Sequence, residues 1–168
     1  MGLHSILAVT DLSPRGNRAV LRAATLAAQH RALLKVMHAP ADFVASPSTG
    51  IEREMKQLAE AVRARFGILV KCVADTTGCL RAVAEEARWV DLLVIGEQQR
   101  RSSAKAFFCR HPIERLQRLV PCPVLLARLE VFHRYRRILV AVDFTPESKK
   151  LVRLAWSLDT GAQVEVFH

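Results

Sequence analysis

Hydrophobic and polar positions along the chain follow two alternating periods. Residues 4–11 (HSILAVTD) are a near-continuous apolar run with β-branched members, the pattern of a strand covered on both faces. Ser13 and Pro14 then supply an N-cap and a first-turn proline, and RGNRAVLRAATLAAQHR carries apolar residues at helical spacing. The alternation continues through a strand at 32–39 (ALLKVMHA), a helix from Ile51 that stops at Gly67, and a strand at 68–76 (ILVKCVADT). Next come the helix CLRAVAEEARWV, the strand DLLVIG (91–96), a helix IERLQRLV with Pro112 in its first turn, and a fifth strand within PCPVLLARLE. Strands and helices that alternate strictly give parallel strands joined by right-handed crossovers. The fold class is therefore α/β: an open parallel five-stranded sheet with helices on both faces, followed by an extra β-α-β segment.

That extra segment repeats the beginning. RRILVAVDFTPESKKLVRLAWSL (136–158) follows the logic of HSILAVTDLSPRGNRAVLRAATL, with Ile138, Asp143, Pro146 and Leu158 each 132 residues after Ile6, Asp11, Pro14 and Leu26. QVEVFH (163–168) matches LLKVMH (33–38) after a two-residue gap, which sets His168 on His38. The expected organisation is one domain over 1–130, a linker at 131–135, and a partial second repeat over 136–168. Strand, helix and strand are too few layers to bury their own apolar faces. The segment must pack on the first domain or on another chain.

Composition narrows the function more than the fold. Half of the 168 residues are hydrophobic (51%), which excludes a disordered polymer. No apolar run approaches the roughly 18 residues of a membrane span, and the first residues lack the layout of a secretion signal, so a soluble cytoplasmic protein is expected. Twenty-five Lys and Arg against sixteen Asp and Glu give a net charge of +9, which attracts polyanions. The arginines are spread over nearly every segment rather than gathered into a stripe, which argues against a nucleic-acid partner. Cys72, Cys79, Cys109 and Cys122 form no CxxC pair, and the six histidines show neither HExxH nor HxH spacing, so no metal site is expected. Cys109 lies near His111, but no acid is placed to orient the pair, and an enzyme is not expected.

Several segments in order carry a resemblance. ILAVTDLSP (6–14), HA after the second strand, DLLVIG, and the closing ERLQRLVPCPVLLAR (114–128) together resemble the universal stress protein family. The resemblance covers residues 4 to about 130, and 136–168 look like the opening of a second copy, as in tandem members. It implies an adenine-nucleotide site in which an aspartate ending the first strand and backbone after the second frame the adenosine. Nucleotide-binding members also have a Gly-x2-Gly-x9-Gly-Ser/Thr loop after the fourth strand. Its glycines let backbone N–H groups approach the phosphates. By position Asp11 and Ala39 take the adenosine roles, and Ile95 and Gly96 open the loop.

The loop then departs from that pattern. Gln99 and Cys109 stand at the second and third glycine positions and Arg110 at the hydroxyl position. Side chains there crowd the phosphates, so ATP binding is expected to be weak or lost and no cofactor is expected. Arg100, Arg101, Lys105 and Arg110 offer a substitute, because arginine forks can hold phosphate through side chains. The plainer reading is a solvated basic surface loop. The sequence thus points to a non-catalytic stress-response protein acting through dimerisation and partner contacts. The expected homodimer forms through the apolar edge strand Pro123–Arg128 and the partial repeat. A nucleotide or phosphate sensor built on Asp11, Gly96 and the loop arginines is the alternative, and salt-dependent nucleic-acid association the third reading.

Overall fold

Local chemistry starts the first helix. Ser13 has extended backbone and accepts a hydrogen bond from the Gly16 N–H, and Pro14 fills the first helical position, where no donor is required. The computed structural model describes residues 2–40, 50–73, 79–96, 112–128 and 133–168. Its elements are β1 (Ser5–Thr10), α1 (Pro14–His30), β2 (Leu33–His38), α2 (Ile51–Phe66), β3 (Val70–Cys72) and α3 (Leu80–Ala87). They continue with β4 (Leu92–Gly96), α4 (Pro112–Leu119), β5 (Val124–Ala127), β6 (Arg137–Ala141), α5 (Pro146–Leu158) and β7 (Gln163–Phe167). Gly67 ends α2 in the left-handed conformation, its N–H bonded to the Arg63 carbonyl, where the sequence places a stop. Two elements are shorter than the sequence predicts. β3 is three residues long, with 74–78 outside the described residues, and α3 ends at Ala87, before Trp89.

The five-stranded sheet has the order β3-β2-β1-β4-β5 with every pairing parallel. Its two faces are sorted by the two-residue period of the strands. Ile6, Ala8, Leu34, Val36, Leu92 and Val94 join a core with α1 and α2, while Leu7, Val9, Met37, Leu93 and Ile95 join a second core with Val83, Ala87 and Leu116 of α3 and α4. Each fully buried leucine or isoleucine contributes about 1.5–3 kcal/mol, and this two-sided burial is why β1 reads as a continuous apolar run.

β6 and β7 pair parallel in a separate two-stranded sheet, and α5 crosses between them. At positions 132 residues apart the backbone repeats itself. Leu12 and Phe144 both adopt positive φ (63° and 62°), and Ser13 and Thr145 both cap the following helix. The Asp11 and Asp143 carboxylates accept from the N–H and hydroxyl of those capping residues, so each aspartate braces a cap rather than serving as the cap.

Residues 133–168 rest on α1 of the same chain. Leu158 belongs to the α1–α2 core, with Tyr135, Ile138 and Leu154 packed against it. The Arg22 guanidinium lies 4.8 Å over the Tyr135 ring and donates to the His133 carbonyl at 2.9 Å. Gln29 Nε2 donates to Asp159 Oδ2 at 2.9 Å, and His30 Nε2 stands 3.2 Å from the Leu158 carbonyl oxygen. Among the described residues, no helix is long and apolar enough to cross a membrane.

Candidate functional site

In an open parallel sheet the crevice forms beyond the carboxyl ends of the strands where the order reverses. Here β1 is followed by β2 and β3 on one side and is flanked by β4 on the other, so the reversal falls between β1 and β4. A cleft of about 280 Å³, including the solvent at its mouth, opens at that point and is lined by Val9, Thr10, Asp11, Gly16, Ala39, Ile95 and Gly96. Four sequence-predicted residues, Asp11, Ala39, Ile95 and Gly96, are therefore brought together. Their places follow from the register, since Val9 pairs with Ile95 and Thr10 with His38, and the Ala39 N–H donates to the Thr10 carbonyl at 2.9 Å. Arg100, Arg101, Lys105 and Arg110 lie outside the described residues, as do Cys109 and His111.

One Asp11 carboxylate oxygen, Oδ1, accepts from the Ser13 N–H and hydroxyl. This fixes the carboxylate at the rim of the cleft, next to the N-terminal turn of α1. Thr10 is almost fully buried, and its hydroxyl donates to Asn17 Oδ1 and accepts from the Leu12 N–H. His38, at the end of β2, is held below the ordinary histidine range by burial, which outweighs the opposing pull of Asp11 and Glu54. Burial therefore favours the neutral imidazole. The cleft thus presents one acceptor-only carboxylate, a neutral ring nearby and apolar walls, an arrangement that suits hydroxyl or amide donors of a ligand. Among the described residues, no group of three His, Cys, Asp or Glu side chains is placed to hold a metal.

Sequence reasoning did not single out Val9, Thr10 or Gly16. Gly16 left a signal, because glycine inside a helix costs about 1 kcal/mol relative to alanine and calls for a reason. The reason is contact: a Cβ on Gly16 would collide with Asp11 Oδ1 and stand 2.9 Å from the Asp11 N. Across the cleft, a Cβ on Gly96 would stand 2.9 Å from the Arg15 carbonyl oxygen and 3.3 Å from the Gly16 Cα. Gly96 lets the first turn of α1 close onto the end of β4, and Gly16 leaves room for the Asp11 carboxylate beside that turn. At the position matching Gly16 the second segment has Ser148, whose hydroxyl donates to Asp143 Oδ1 and accepts from the Asp143 N–H. Hydrogen bonds from Ser148 and Thr145 hold the Asp143 carboxyl down to about 2. In the first segment the Asp11 carboxylate lies where that side chain would begin.

The family model described as the universal stress protein family matches residues 2–128. Among solved structures, a universal stress protein in complex with cAMP is 22% identical, covers 76% of this chain and 98% of its own, and superposes with a TM-score of 0.59. The universal stress protein UspA from Lactobacillus plantarum is 18% identical, with 76% and 99% covered and a TM-score of 0.60. A universal stress protein from Archaeoglobus fulgidus is 16% identical, covers 96% of this chain and has a TM-score of 0.67; this chain spans 65% of its length. No curated protein matches the chain in sequence.

Proposed function

The chain belongs to the universal stress protein family, and we propose that it serves the stress response without catalysis, through dimerisation and partner contacts, with ATP binding weak or lost. The observation that carries this reading is the edge of the sheet. β5 pairs only with β4 among the described strands, and Val124, Leu125 and Leu126 along it are only half-buried. An apolar edge with unpaired backbone groups favours strand pairing with another chain. Residues 136–168, read as a partial second repeat, add further apolar surface in Leu139, Leu151, Trp156 and Phe167. The weak-nucleotide part of the reading rests on the sequence, where Gln99, Cys109 and Arg110 replace the phosphate-cradling residues. Light scattering on the purified chain at micromolar concentration is expected to give twice the 18.8 kDa chain mass. A monomer across that range, or a dimer indifferent to Leu125→Lys on the edge, rejects the β5 interface.

A second reading is favoured by the cleft itself. Asp11, Ala39, Ile95 and Gly96 converge at the switch point, the arrangement a nucleotide or phosphate-ligand sensor would use, with the loop arginines supplying the phosphate contacts. Because a structural neighbour is described in complex with cAMP, the titrants are cAMP, AMP and ATP. Under the main reading, calorimetry of the nucleotide-stripped protein gives no saturable heat below millimolar ligand. Micromolar binding that Asp11→Ala and Arg100→Ala/Arg101→Ala each weaken at least tenfold, about 1.4 kcal/mol, establishes the sensor instead.

A further inference from the structure

The turn that carries Asp11 is built twice in the chain and held in two different ways. Leu12 and Phe144 take the same left-handed backbone (φ 63° and 62°), a region that a residue with a Cβ enters at a cost, so each turn needs a lock. In the second segment the lock acts through the aspartate. The Ser148 hydroxyl accepts from the Asp143 N–H at 3.1 Å and donates to Asp143 Oδ1. In the first segment the lock acts on Leu12 itself. Its N–H donates to Thr10 Oγ1 at 2.9 Å, the Thr10 hydroxyl donates to Asn17 Oδ1 at 2.9 Å, and Asn17 Nδ2 donates to the Leu12 carbonyl at 3.4 Å. One pair of side chains thus brackets Leu12 on both sides, and Thr10 is 1% exposed. The matched residues of the second segment are Val142 and Lys149, which carry neither a hydroxyl nor a carboxamide. The shared turn does not by itself demand the pair.

We propose that Thr10 and Asn17 are positioning residues for the cleft: by fixing Leu12 they set the Asp11 carboxylate at its rim. The inference deepens the sensor reading of the cleft and rests on that reading for its ligand. Geometry links the pair to the carboxylate. Asp11 Oδ1 accepts from the Ser13 N–H at 3.0 Å and from the Ser13 hydroxyl, and Leu12 is the residue these bonds span. They close only while Leu12 keeps its conformation. Thr10 ends β1, which lies between β2 and β4, and Asn17 lies early in α1. The lock therefore ties the turn to the strand and the helix that wall the cleft. Thr10 itself lines the cleft, but its single hydroxyl proton is given to Asn17, so it acts on a ligand through Asp11.

Amide hydrogen exchange on the full chain, read by NMR without ligand, tests the positioning role. Thr10→Val keeps the shape of the side chain and removes the hydroxyl. Exchange at both the Leu12 and the Ser13 N–H should then rise about fivefold, the equivalent of about 1 kcal/mol for one lost hydrogen bond. The Gly67 N–H, bonded to Arg63 at the far end of α2, should keep its rate. Asn17→Leu should move the same two amides, and Thr10→Ser, which retains the hydroxyl, should hold them within about twofold of wild type. A faster Leu12 with an unmoved Ser13 overturns the proposal, because the pair would then hold the turn and not the carboxylate. So do wild-type rates at both. The ligand probe is AMP. Where wild type binds it, Thr10→Val should weaken binding about fivefold alone but by less than about twofold when added to Asp11→Ala, and fully additive losses overturn the proposal. A wild type that binds no AMP rejects the sensor reading and leaves the exchange rates to decide the positioning role.

Discussion

Gly96→Val is expected to lower stability by about 1–3 kcal/mol, the range for overpacking a tight contact, and to close the cleft. The cost arises from backbone rather than from a movable side chain. The new Cβ would lie 2.9 Å from the Arg15 carbonyl oxygen, so the first turn of α1 must retreat from the end of β4. That retreat also loosens the Ser13 cap and the Asp11 carboxylate it holds. Gly16→Ala provides the comparison. Its Cβ conflicts with the Asp11 carboxylate and the Thr10 hydroxyl, side-chain atoms that can shift, and with the less yielding Asp11 N. The expected order in urea denaturation is wild type, then Gly16→Ala, then Gly96→Val. A Gly96→Val midpoint equal to that of wild type would mean that α1 does not press on β4 in solution.

The second large effect concerns the joint between the two segments. Asp159 is 2% exposed; its carboxylate accepts from Gln29 Nε2 and the Gly161 N–H, and Arg134 stands 3.6 Å away. Asp159→Ala leaves Gln29 without its acceptor and removes the brace at the end of α5. A cost of about 1–3 kcal/mol is expected, together with faster proteolysis within residues 133–168. The pH dependence has a defined sign. Burial pushes the carboxyl upward, but hydrogen bonds from Gly161 and Gln29, the Arg134 charge and the Tyr135 N–H outweigh it, so the pKa is lowered. A lowered carboxyl pKa contributes stability that is complete above the unfolded value of about 3.9 and is lost as pH falls through the folded one. The stability gap between wild type and Asp159→Asn should therefore be flat at neutral pH and close only in acid. A gap that changes between pH 6 and 8 would place the dependence on another group.

Where the chemistry is local, the sequence was a sufficient guide. Ser13 with Pro14 and Thr145 with Pro146 announce helix starts, because a cap is satisfied by donors two or three residues away. The converging ends Asp11, Ala39 and Gly96 were legible because parallel topology fixes which strand ends meet at a switch point. Gly16 was passed over, since its role depends on where the Asp11 carboxylate turns back onto the start of α1. Nothing in the helical pattern around Arg22 marks it as buried, yet it is 8% exposed beneath Tyr135. Nothing beside Asp159 in the sequence marks it, because its partner Gln29 is 130 positions away. The basic loop from Glu97 to His111 stays where the sequence left it, a candidate by position.

The sequence by itself determined the order and type of the elements, the parallel sheet, the family and the internal correspondence of β1–α1–β2 with β6–α5–β7. These depend on periodicity, caps and turns, all of which act within a few residues. Only the tertiary structure decided that residues 133–168 lie on α1, that Gly96 lets α1 approach β4, and that no described element covers one face of β6 and β7. The strand pattern of Leu139, Ala141 and Phe167 matches that of Leu7, Val9 and Met37, and alternation records which side chains share a face. It carries no record of whether anything covers that face, because cover comes from elements distant in the chain.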